Sequence, residues 1–509
     1  MFKVVVEMKY VIVQAGGRGS RLEKYTYNKP KALLSVDSFP MIFNTFELFK
    51  DSMFVVIGDY KYDVLKKYLE SFSDVNYVLI KANGTGTCAG IGDAIKFIPK
   101  GEEFLLIWCD LVLPKTFSLK GIEGTGNYVG ISKDFECRWS YVNGEFVEER
   151  SKENGVAGFF IFDSKEQIAD VPESGEFVKY LKYKQIKFKE FPLYGTREFG
   201  LASEYESYIF SKRQSRPFNE VIIEDNRVVK VPLDAKGKEL AEYETEWYKF
   251  VAERGYDNVP KVYGFEPLTL ERIDGFHPFE LKNADMKTKR HVIDILLNSY
   301  EKLHKIEEPI ESDKFSLEKE YYTKTFERLN KVYRLVPFAT DKEIKINGKW
   351  YVNPFYIEEE IKNMARMYYT DKFCVIHGDP TFSNVLVDKS IEKAYLIDPR
   401  GYFGYSKIYG DVDYDYAKLY YSLVGNYDMM NQRHFTLRID PDGADLEIES
   451  NGYEGLEDYF FDRIGWEKKE KIKFLHAIIW LSLTTYAWDD YDSICGAFYN
   501  GTMKVGEVI

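Results

Sequence analysis

Residues 375–400 read VIHGDPTFSNVLVDKSIEKAYLIDPR, and the fold predicted for the carboxy-terminal half follows from this stretch. An apolar run leads into a turn that carries His377 and Asp379, with a glycine between them. Asn384 precedes a second apolar run, and a third apolar run ends at Asp398. Apolar runs separated by Gly, Pro, Asp and Asn are typical of β-hairpins. The stretch therefore predicts two carboxylates and one carboxamide at neighbouring strand ends.

Phosphoryl transfer requires this set of groups. One carboxylate accepts the proton of the attacking hydroxyl, while a second carboxylate and an amide oxygen hold the Mg²⁺ ions that neutralise the triphosphate. An ordinary hairpin, in which Asp and Asn only form turns, is the alternative interpretation. The ordered set of His, Gly, Asp, Asn and Asp favours a phosphoryl-transfer site over the plain hairpin.

The spacing H-G-D-x-x-x-x-N followed by I-D resembles the catalytic and metal-binding segments of the aminoglycoside phosphotransferase and choline kinase family. This family is a small-molecule branch of the two-lobed, protein-kinase-like (α+β) fold. The resemblance implies that Asp379 is the catalytic base and that Asn384 and Asp398 bind Mg²⁺. It also implies that His377 braces the loop, and that Asp415, in a later acidic segment, supports it.

Upstream of this stretch, a predicted hairpin over 220–231 is followed by a predicted helix over 238–253. The order resembles the small lobe of the same fold. The resemblance implies that Lys230 binds the ATP phosphates and pairs with a helix glutamate, Glu244 by spacing or Glu246 as the second choice. A lysine that merely faces solvent from a strand is the alternative. The region lacks a G-x-G-x-x-G loop, which argues against a protein kinase.

The amino-terminal half begins with a strand-like run that ends in a glycine-rich turn, YVIVQAGGRGSRL from residue 10. The turn contains three glycines, Gly16, Gly17 and Gly19. Glycine lets backbone amides approach a phosphate chain closely, because it has no side chain in the way. Arg21 adds a planar fork for phosphate oxygens, and Lys31 adds a second cation. A tight turn without a function is the alternative.

The pattern G-G-x-G-S-R-L followed by P-K-A-L resembles the signature of the sugar-nucleotide pyrophosphorylase-like nucleotidyltransferases, which include the phosphocholine cytidylyltransferases. The resemblance implies that the three glycines line the nucleotide and that Arg21 and Lys31 act on its phosphates. It also implies that Asp110, after the apolar run 104–108, binds the catalytic Mg²⁺. The family's second metal-binding aspartate corresponds to Leu193. Either another carboxylate replaces that aspartate, or the site uses one protein aspartate.

Strands and helices alternate in this half, which predicts an α/β fold with a parallel, doubly wound, Rossmann-like sheet. The predicted elements are strands 10–14, 54–57, 77–80, 104–108 and 155–162 and helices 60–72 and 88–97. Ligands of such sheets bind at the carboxyl ends of the strands. Gly84 and Thr85, in a turn after one of these strands, are therefore expected to contact the base. A helix cap with Thr87 as N-cap is the alternative for this turn.

Composition limits the partners of the chain. It has 509 residues and a net charge of −13, with no dominant basic segment, so a nucleic-acid partner is not expected. Its five cysteines are scattered and odd in number, which indicates a reducing compartment. The sequence has no signal-like segment and no apolar run of about 18 residues, so a membrane span is not expected. These features predict a cytoplasmic protein.

The two halves suggest three domains, a nucleotidyltransferase domain over 1–212, a kinase-like small lobe over 213–275 and a large lobe over 276–509. The basic, proline-ended stretch 210–217 is the predicted linker. In the final hundred residues, an aromatic and acidic segment permits an ammonium cage, but ordinary core is the favoured interpretation. A homo-oligomer is compatible with the sequence.

The predicted function is bifunctional. The enzyme would phosphorylate a small hydroxyl metabolite, a sugar or an amino alcohol, with ATP. It would then couple the product to a nucleoside monophosphate from CTP or UTP, giving an activated precursor for surface glycoconjugates. The substrates are thus a small molecule and two nucleoside triphosphates, with Mg²⁺ at both sites. A kinase that carries a catalytically inactive nucleotidyltransferase-like scaffold or nucleotide sensor is the alternative.

Overall fold

The structure is a computed structural model that describes four stretches of the chain, residues 8–120, 122, 125–211 and 219–509. The predicted boundary at residue 212 and most of the predicted linker lie outside these residues. The chain divides into two compact units. One unit comprises residues 1–213 with 489–491, and the other comprises residues 214–488 with 492–509.

The first unit is a mixed α/β structure. Its described strands are β1 (Tyr10–Gln14), β2 (Ser35–Val36), β3 (Phe39–Pro40), β4 (Met53–Gly58), β5 (Tyr77–Lys81), β6 (Phe104–Trp108), β7 (Leu111–Val112), β8 (Tyr128–Ser132), β9 (Ser140–Val142), β10 (Glu145–Val147), β11 (Gly155–Phe162), β12 (Lys189–Leu193) and β13 (Arg197–Glu198). Its described helices are α1 (Met41–Leu48), α2 (Tyr62–Phe72), α3 (Ile91–Ala94), α4 (Phe177–Lys184) and α5 (Ala202–Ser211).

The main sheet of this unit has a parallel centre. Among the described residues its strand order is β10-β9-β11-β6-β1-β4-β5, with β8 beside β11 and β12 beside β8. Strands β5, β4, β1 and β6 pair in parallel, as predicted. Strand β11 is instead antiparallel to β6 and β8. It directly follows the β9–β10 hairpin, and a parallel return would have required a crossover connection.

A buried core on one side of this sheet fixes the positions of its strands. Ile12 of β1, Val55 of β4 and Leu106 of β6 are buried in one apolar cluster. Ile91 of α3 and Phe177 of α4 belong to the same cluster. Strands with continuous apolar sequences are typical of parallel sheets that are covered on both faces. The rigid centre of the unit is therefore the part that holds the ends of β1 and β6.

The register of β1 and β6 brings two predicted site segments together. Gln14, the last residue of β1, is paired with Trp108, the last residue of β6. The amide of Cys109 donates to the Gln14 carbonyl at 3.1 Å. The glycine-rich turn after β1 and Asp110 after β6 consequently leave the sheet side by side, at its carboxyl edge.

The second half of the chain contains further strands and helices. The described strands are β14 (Asn219–Ile223), β15 (Arg227–Pro232), β16 (Val262–Phe265), β17 (Leu268–Glu271), β18 (Gly275–Phe276), β19 (Ile310–Glu311), β20 (Glu343–Ile346), β21 (Lys349–Val352), β22 (Lys372–Val375), β23 (Val385–Asp388), β24 (Ala394–Leu396), β25 (Tyr402–Phe403), β26 (Ser406–Lys407), β27 (Tyr409–Gly410), β28 (Phe435–Asp440) and β29 (Gly443–Ile448). The described helices are α6 (Ala235–Glu253), α7 (Met286–His304), α8 (Lys314–Glu318), α9 (Lys324–Val332), α10 (Glu358–Met367), α11 (Val412–Leu423), α12 (Tyr427–Asn431), α13 (Glu457–Ile464), α14 (Lys469–Ser482) and α15 (Tyr491–Val505).

The second unit starts with an antiparallel sheet of order β14-β15-β17-β16, followed along the chain by mainly helical structure. Helix α6 begins after Asp234, whose side chain accepts from the amide of Gly237, as expected of an N-cap. Helix α7 begins at Met286, where the Asp285 side chain caps it by accepting from the amide of Thr288. Trp480 and Phe498 are fully buried, which agrees with the core interpretation of the aromatic segment.

None of the helices formed by the described residues is long and apolar enough to cross a membrane.

Candidate active sites in the two units

The predicted hairpin of the second unit forms as strands β23 and β24. Val385 pairs with Leu396, and the Ile397 amide donates to the Asn384 carbonyl at 3.0 Å. This register places Asn384, just before β23, beside Asp398, just after β24. The backbone of Asp398 has a φ of 55°, in the left-handed region that Asp tolerates better than most residues.

Asp379 is oriented by its neighbours. The amide group of Asn384 donates to the Asp379 backbone carbonyl at 2.7 Å and to its carboxylate at 3.1 Å. Lys418 Nζ lies 2.8 Å from Asp379 Oδ1. The ion pair holds the carboxylate in one orientation, as a general base requires. The structure thus brings Asp379, Asn384 and Asp398 to one end of the hairpin.

Asp415 holds the loop that presents Asp379. Its fully buried carboxylate accepts from the amides of His377 at 2.9 Å and Gly378 at 2.8 Å. It also lies 3.1 Å from His304 Nε2. Gly378 has a φ of 82°, which a residue with a side chain rarely adopts. Two neighbouring amides aimed at one carboxylate fix the backbone of the loop.

His377 connects the loop to the strand that precedes Asp398. Its Nε2 lies 2.9 Å from the Ile397 carbonyl, and the Asp379 amide donates to its Nδ1 at 3.3 Å. Burial lowers the pKa of His377, although nearby carboxylates oppose this effect. The neutral imidazole therefore donates through Nε2 and accepts through Nδ1, as a brace would.

Lys230 pairs with Glu244. The Lys230 ammonium lies 2.5 Å from Glu244 Oε1 and also forms an ion pair with Asp398. Glu246, the other candidate, pairs instead with Lys407 at 2.9 Å. Burial opposes the charge of Lys230, but the carboxylates of Asp398 and Glu244 raise its pKa above the ordinary value. The lysine is charged and does not merely face solvent.

In the first unit, Lys31 Nζ lies 2.5 Å from Asp110 Oδ2. Burial acts to lower the pKa of Lys31, but the Asp110 carboxylate outweighs it and the pKa is raised. The Lys31 amide also donates to the Gly17 carbonyl at 3.4 Å, which ties this segment to the glycine-rich turn. Arg21 is exposed. Lys31, Asp110 and the glycine-rich turn therefore lie together at one edge of the sheet.

The three glycines have different surroundings. A side chain at Gly16 would begin 2.9 Å from the side chain of Asp59, so the turn packs closely against the end of β4. Gly19 has a φ of 63° and starts the next turn in a left-handed conformation. Gly17 faces open space. Its backbone can be approached by a ligand.

The turn at Gly84 and Thr85 is held by the segment before α4. A side chain at Gly84 would overlap the Glu173 carbonyl. The Thr85 carbonyl accepts from the Gly175 amide at 2.9 Å. The alternative in which Thr87 caps its own helix is wrong, because its hydroxyl accepts from the Phe177 amide at 2.8 Å and α3 starts only after Gly90.

Glu198 is a further candidate site residue that no sequence motif indicated. Strand β13 pairs antiparallel with β7, and Glu198 lies opposite Leu111, the residue after Asp110. Burial and the Asp110 carboxylate raise the pKa of Glu198 to about 7, against the opposing effect of Lys31. Leu193, at the expected ligand position, is buried and apolar. The only sequence signal was that a carboxylate lies two residues after Gly195-Thr196. A strand of two residues cannot be predicted from its sequence.

Glu198 also borders a cavity of about 580 Å³. Thr196, Arg197 and Glu204 line the same cavity. The position that a Cβ atom at residue 200 would occupy lies 3.7 Å from Arg21 Nη2 and 3.8 Å from Glu198 Oε1. The Arg21 guanidinium is therefore close to the Glu198 carboxylate.

Both donor sets fit Mg²⁺. The described residues contain no cluster of three or more His, Cys, Asp or Glu side chains suited to a metal ion. Mg²⁺ is usually held by one or two carboxylates together with substrate phosphates and water, and it prefers oxygen ligands. Asp398 with the Asn384 amide oxygen, and Asp110 with Glu198, supply oxygen atoms of this kind.

Comparison with known proteins finds a family match within each half of the chain. Residues 11–120 match the MobA-like NTP transferase domain, and residues 215–445 match the phosphotransferase enzyme family. None of the curated proteins matches the chain.

Similar solved structures include the following three proteins. The inositol-1-phosphate CTP transferase from T. maritima is 18% identical, with 40% of this chain and 95% of that chain covered and a TM-score of 0.33. HddC from Yersinia pseudotuberculosis is 22% identical, with 40% and 98% covered and a TM-score of 0.33. The CTP:phosphocholine cytidylyltransferase LicC from Streptococcus pneumoniae is 18% identical, with 41% and 100% covered and a TM-score of 0.31.

The family matches confirm the two predicted family resemblances and the predicted fold classes of both halves. They also confirm that the protein is an enzyme whose domains act on nucleotides and small molecules. The chain joins a MobA-like NTP transferase domain to a domain of the phosphotransferase enzyme family.

Proposed function

We propose that the chain phosphorylates a small hydroxyl metabolite with ATP in its second unit. Its first unit then couples the phosphorylated product to a nucleoside monophosphate from CTP or UTP. The observation that carries the proposal is the braced loop of Asp379, Asn384 and Asp398 together with the Lys230–Glu244 pair. The product would be an activated sugar or amino alcohol for a surface glycoconjugate. The working domains would be residues 1–212, 213–275 and 276–509.

In the kinase step, the hydroxyl oxygen of the metabolite attacks the γ-phosphorus of ATP. The bond between this phosphorus and the β,γ-bridging oxygen breaks, and ADP leaves. Asp379 accepts the hydroxyl proton, and Lys230 binds the phosphates of ATP. Asp398 and Asn384 would hold Mg²⁺. Neutralisation of the triphosphate charge is the chemistry that Mg²⁺ supplies when it is bound.

In the nucleotidyl step, a phosphate oxygen of the product attacks the α-phosphorus of the second nucleoside triphosphate, and pyrophosphate leaves. The amides around Gly16, Gly17 and Gly19 cradle the phosphates. Arg21 and Lys31 stabilise the charge that develops on them. Asp110 would hold Mg²⁺, and we assign Glu198 as the second carboxylate in place of Leu193. Gly84 and Thr85 would contact the base.

A kinase with an inactive nucleotidyltransferase half is the second candidate function. The buried Leu193 at the position of a metal-binding aspartate favours it. The two candidates differ in one product, because only the bifunctional enzyme releases pyrophosphate from CTP or UTP. The five cysteines are scattered and odd in number, which supports a reducing compartment and a cytoplasmic location under either proposal.

The test measures ADP formation with choline, ethanolamine, glycerol, hexoses, heptoses and amino sugars as acceptors. Pyrophosphate release is then measured with the phosphorylated product and CTP or UTP. Asp379→Asn should remove ADP formation only, and Asp110→Asn should remove pyrophosphate release only. A wild-type protein that forms ADP with an acceptor but releases no pyrophosphate from any nucleotide would support the second candidate.

A further inference from the structure

A group of charged side chains lies behind the catalytic loop of the second unit. We call Glu320, Lys324, Arg328 and Arg400 the Glu320 cluster. Arg400 binds the Glu320 carboxylate with both terminal nitrogens, at 2.8 Å and 2.6 Å. Lys324 forms a further ion pair with the same carboxylate. The Glu320 side chain is only 1% exposed, so this carboxylate is shared by cations inside the protein.

The cluster has more positive than negative charge. Arg328 donates to the backbone carbonyl and the hydroxyl of Ser482, at 2.7 Å and 3.0 Å, and has no carboxylate partner among the described residues. Burial and the neighbouring Arg400 lower the pKa of Arg328. Burial, with Arg400 and Arg328, lowers the pKa of Lys324 to about 7. Lys324 and Arg400 thus share the Glu320 carboxylate, and Arg328 lies nearby without a carboxylate of its own among the described residues.

An excess of buried charge is costly unless something compensates it. A structural network would be expected to give each cation its own carboxylate, as Asp411 and Asp413 do for Lys468 and Lys471. The Glu320 cluster does not follow this rule. Sites with such imbalance are typical of places that bind a charged ligand.

The cluster is next to the catalytic loop. A side chain at Gly378 would begin 3.0 Å from Cβ of Arg400, so Arg400 packs directly against the residue before Asp379. Lys324 Nζ lies 3.5 Å from the hydroxyl of Tyr414. The ammonium group of Lys418, which binds Asp379, lies over the ring of the same tyrosine at 5.9 Å. Tyr414 therefore lies between Lys324 and the Lys418–Asp379 pair, and the side chains of Lys324 and Arg400 remain 13% and 17% exposed.

We propose that the acceptor of the kinase unit is an anionic alcohol, one whose carboxylate or phosphate group binds Arg328 and Lys324 while its hydroxyl faces Asp379. The inference rests on the proposed kinase function. It favours an acid or a phosphorylated polyol over a cationic alcohol such as choline, which the two arginines of the cluster would repel. The anion of the acceptor would supply the negative charge that Glu320 alone does not.

The test compares acceptors that share a carbon skeleton and differ in charge. Glycerol, glycerate and glycerol 3-phosphate form one series, and glucose, glucuronate and glucose 6-phosphate form another, with choline as the cationic acceptor. The expected result is that kcat/KM for an anionic member exceeds that of its neutral parent by about ten-fold or more, the effect of a charge-assisted hydrogen bond. The two anionic members of each series distinguish a carboxylate from a phosphate.

Variants assign the effect to the cluster. Arg328→Gln should raise KM for the anionic acceptor about ten-fold or more and leave KM for ATP nearly unchanged. Arg328→Lys should recover part of the loss, and the same glutamine exchange at the exposed Arg334 should have no effect. Thermal protection by inorganic phosphate, present in the wild type and reduced in Arg328→Gln, is a readout that does not depend on turnover.

Three outcomes are distinct. Preference for an anionic acceptor that is lost in Arg328→Gln supports the inference. Preference for a neutral or cationic acceptor, with KM unaffected in Arg328→Gln, overturns it and leaves the kinase function standing. Absence of ADP formation with every acceptor, without phosphate protection, overturns both.

Discussion

The Lys31 ammonium lies 2.5 Å from the Asp110 carboxylate, and this pair joins the segment after the glycine-rich turn to the end of β6. In the ligand-free protein each group neutralises the other. When a nucleotide binds, both are proposed to turn to new partners, the lysine to phosphate oxygens and the aspartate to Mg²⁺. The pair therefore holds the two proposed catalytic groups in place before the substrate arrives.

Asp110→Asn should lower pyrophosphate release by about 10²–10³-fold or more, because the phosphate charge is no longer cancelled. ADP formation in the second unit should stay at the wild-type rate, and this internal control separates a local effect from misfolding. Equal losses in both activities would contradict the assignment of Asp110 to the nucleotidyl site.

Glu198→Gln should raise the Mg²⁺ concentration needed for half-maximal pyrophosphate release by about ten-fold or more, in the range known for weakened metal sites. Mn²⁺ affinity, measured by electron paramagnetic resonance, should fall in parallel. Glu204→Gln alters a neighbouring carboxylate of the same cavity and is the matched control. Identical Mn²⁺ titrations for wild type and Glu198→Gln would exclude Glu198 as a ligand.

Asp398→Ala should damage kinase turnover more than Asp379→Asn. Loss of a general base costs typically about 10²–10⁴-fold. Loss of a metal that cancels triphosphate charge should cost more, because that charge is spread over the whole transferring group. The measurement is single-turnover ADP formation, with the exposed Asp442→Asn as control. Similar residual rates for the two variants would remove the assigned roles.

Asp415→Asn should lower the free energy of unfolding of the second unit by about 2–4 kcal/mol, because the amide oxygen cannot serve two backbone donors and His304 at once. Urea unfolding followed by tryptophan fluorescence measures the change. Kinase KM for ATP should change less than kcat, since the loop and not the nucleotide pocket is released. A stable variant with full kcat would contradict the bracing role.

The pH dependence of stability should include a contribution from His476. Its imidazole accepts from the Trp480 indole at 2.9 Å, and burial holds its pKa well below the ordinary value. In the unfolded chain the imidazole takes up a proton near pH 6.5. Below that pH the unfolded state binds more protons, so the free energy of unfolding falls as the pH falls, by up to about 1.4 kcal/mol per pH unit for one group.

His476→Gln should reduce this loss of stability between about pH 7 and pH 5, measured by urea unfolding at each pH. His377, whose pKa burial also lowers, will keep part of the slope. The same exchange at the exposed His291 is the control. A slope as steep in His476→Gln as in the wild type would show that other groups cause the acid sensitivity.

Strands with continuous apolar sequences were predictable, and β1, β6 and β11 have the predicted bounds. Local spacing was also enough to indicate Asp379, Asn384 and Asp398, because one hairpin carries all three. The direction of β11 was not predictable, since it depends on the strands that pair with it and not on its own residues.

Glu198 and the Glu320 cluster could not be predicted for a related reason. Glu198 reaches Asp110 only because β13 pairs with β7, a contact across more than eighty residues of chain. Glu320 lies in a π-helical turn between α8 and α9 and forms an ion pair with Arg400. No sequence pattern predicts this turn. In both places the chemistry depends on tertiary contacts between segments that look ordinary by themselves.

The antiparallel pairing of β11 with β6 has a practical consequence for the design of truncated forms of the protein. A polypeptide cut to residues 11–120, the length of the family match, would keep the glycine-rich turn and Asp110. It would lack β11, in which Phe159 pairs with Ile107 of β6. The edge of β6, an apolar strand, would then be unpaired and exposed. Such a truncation is expected to aggregate, and the smallest useful amino-terminal fragment extends past β13.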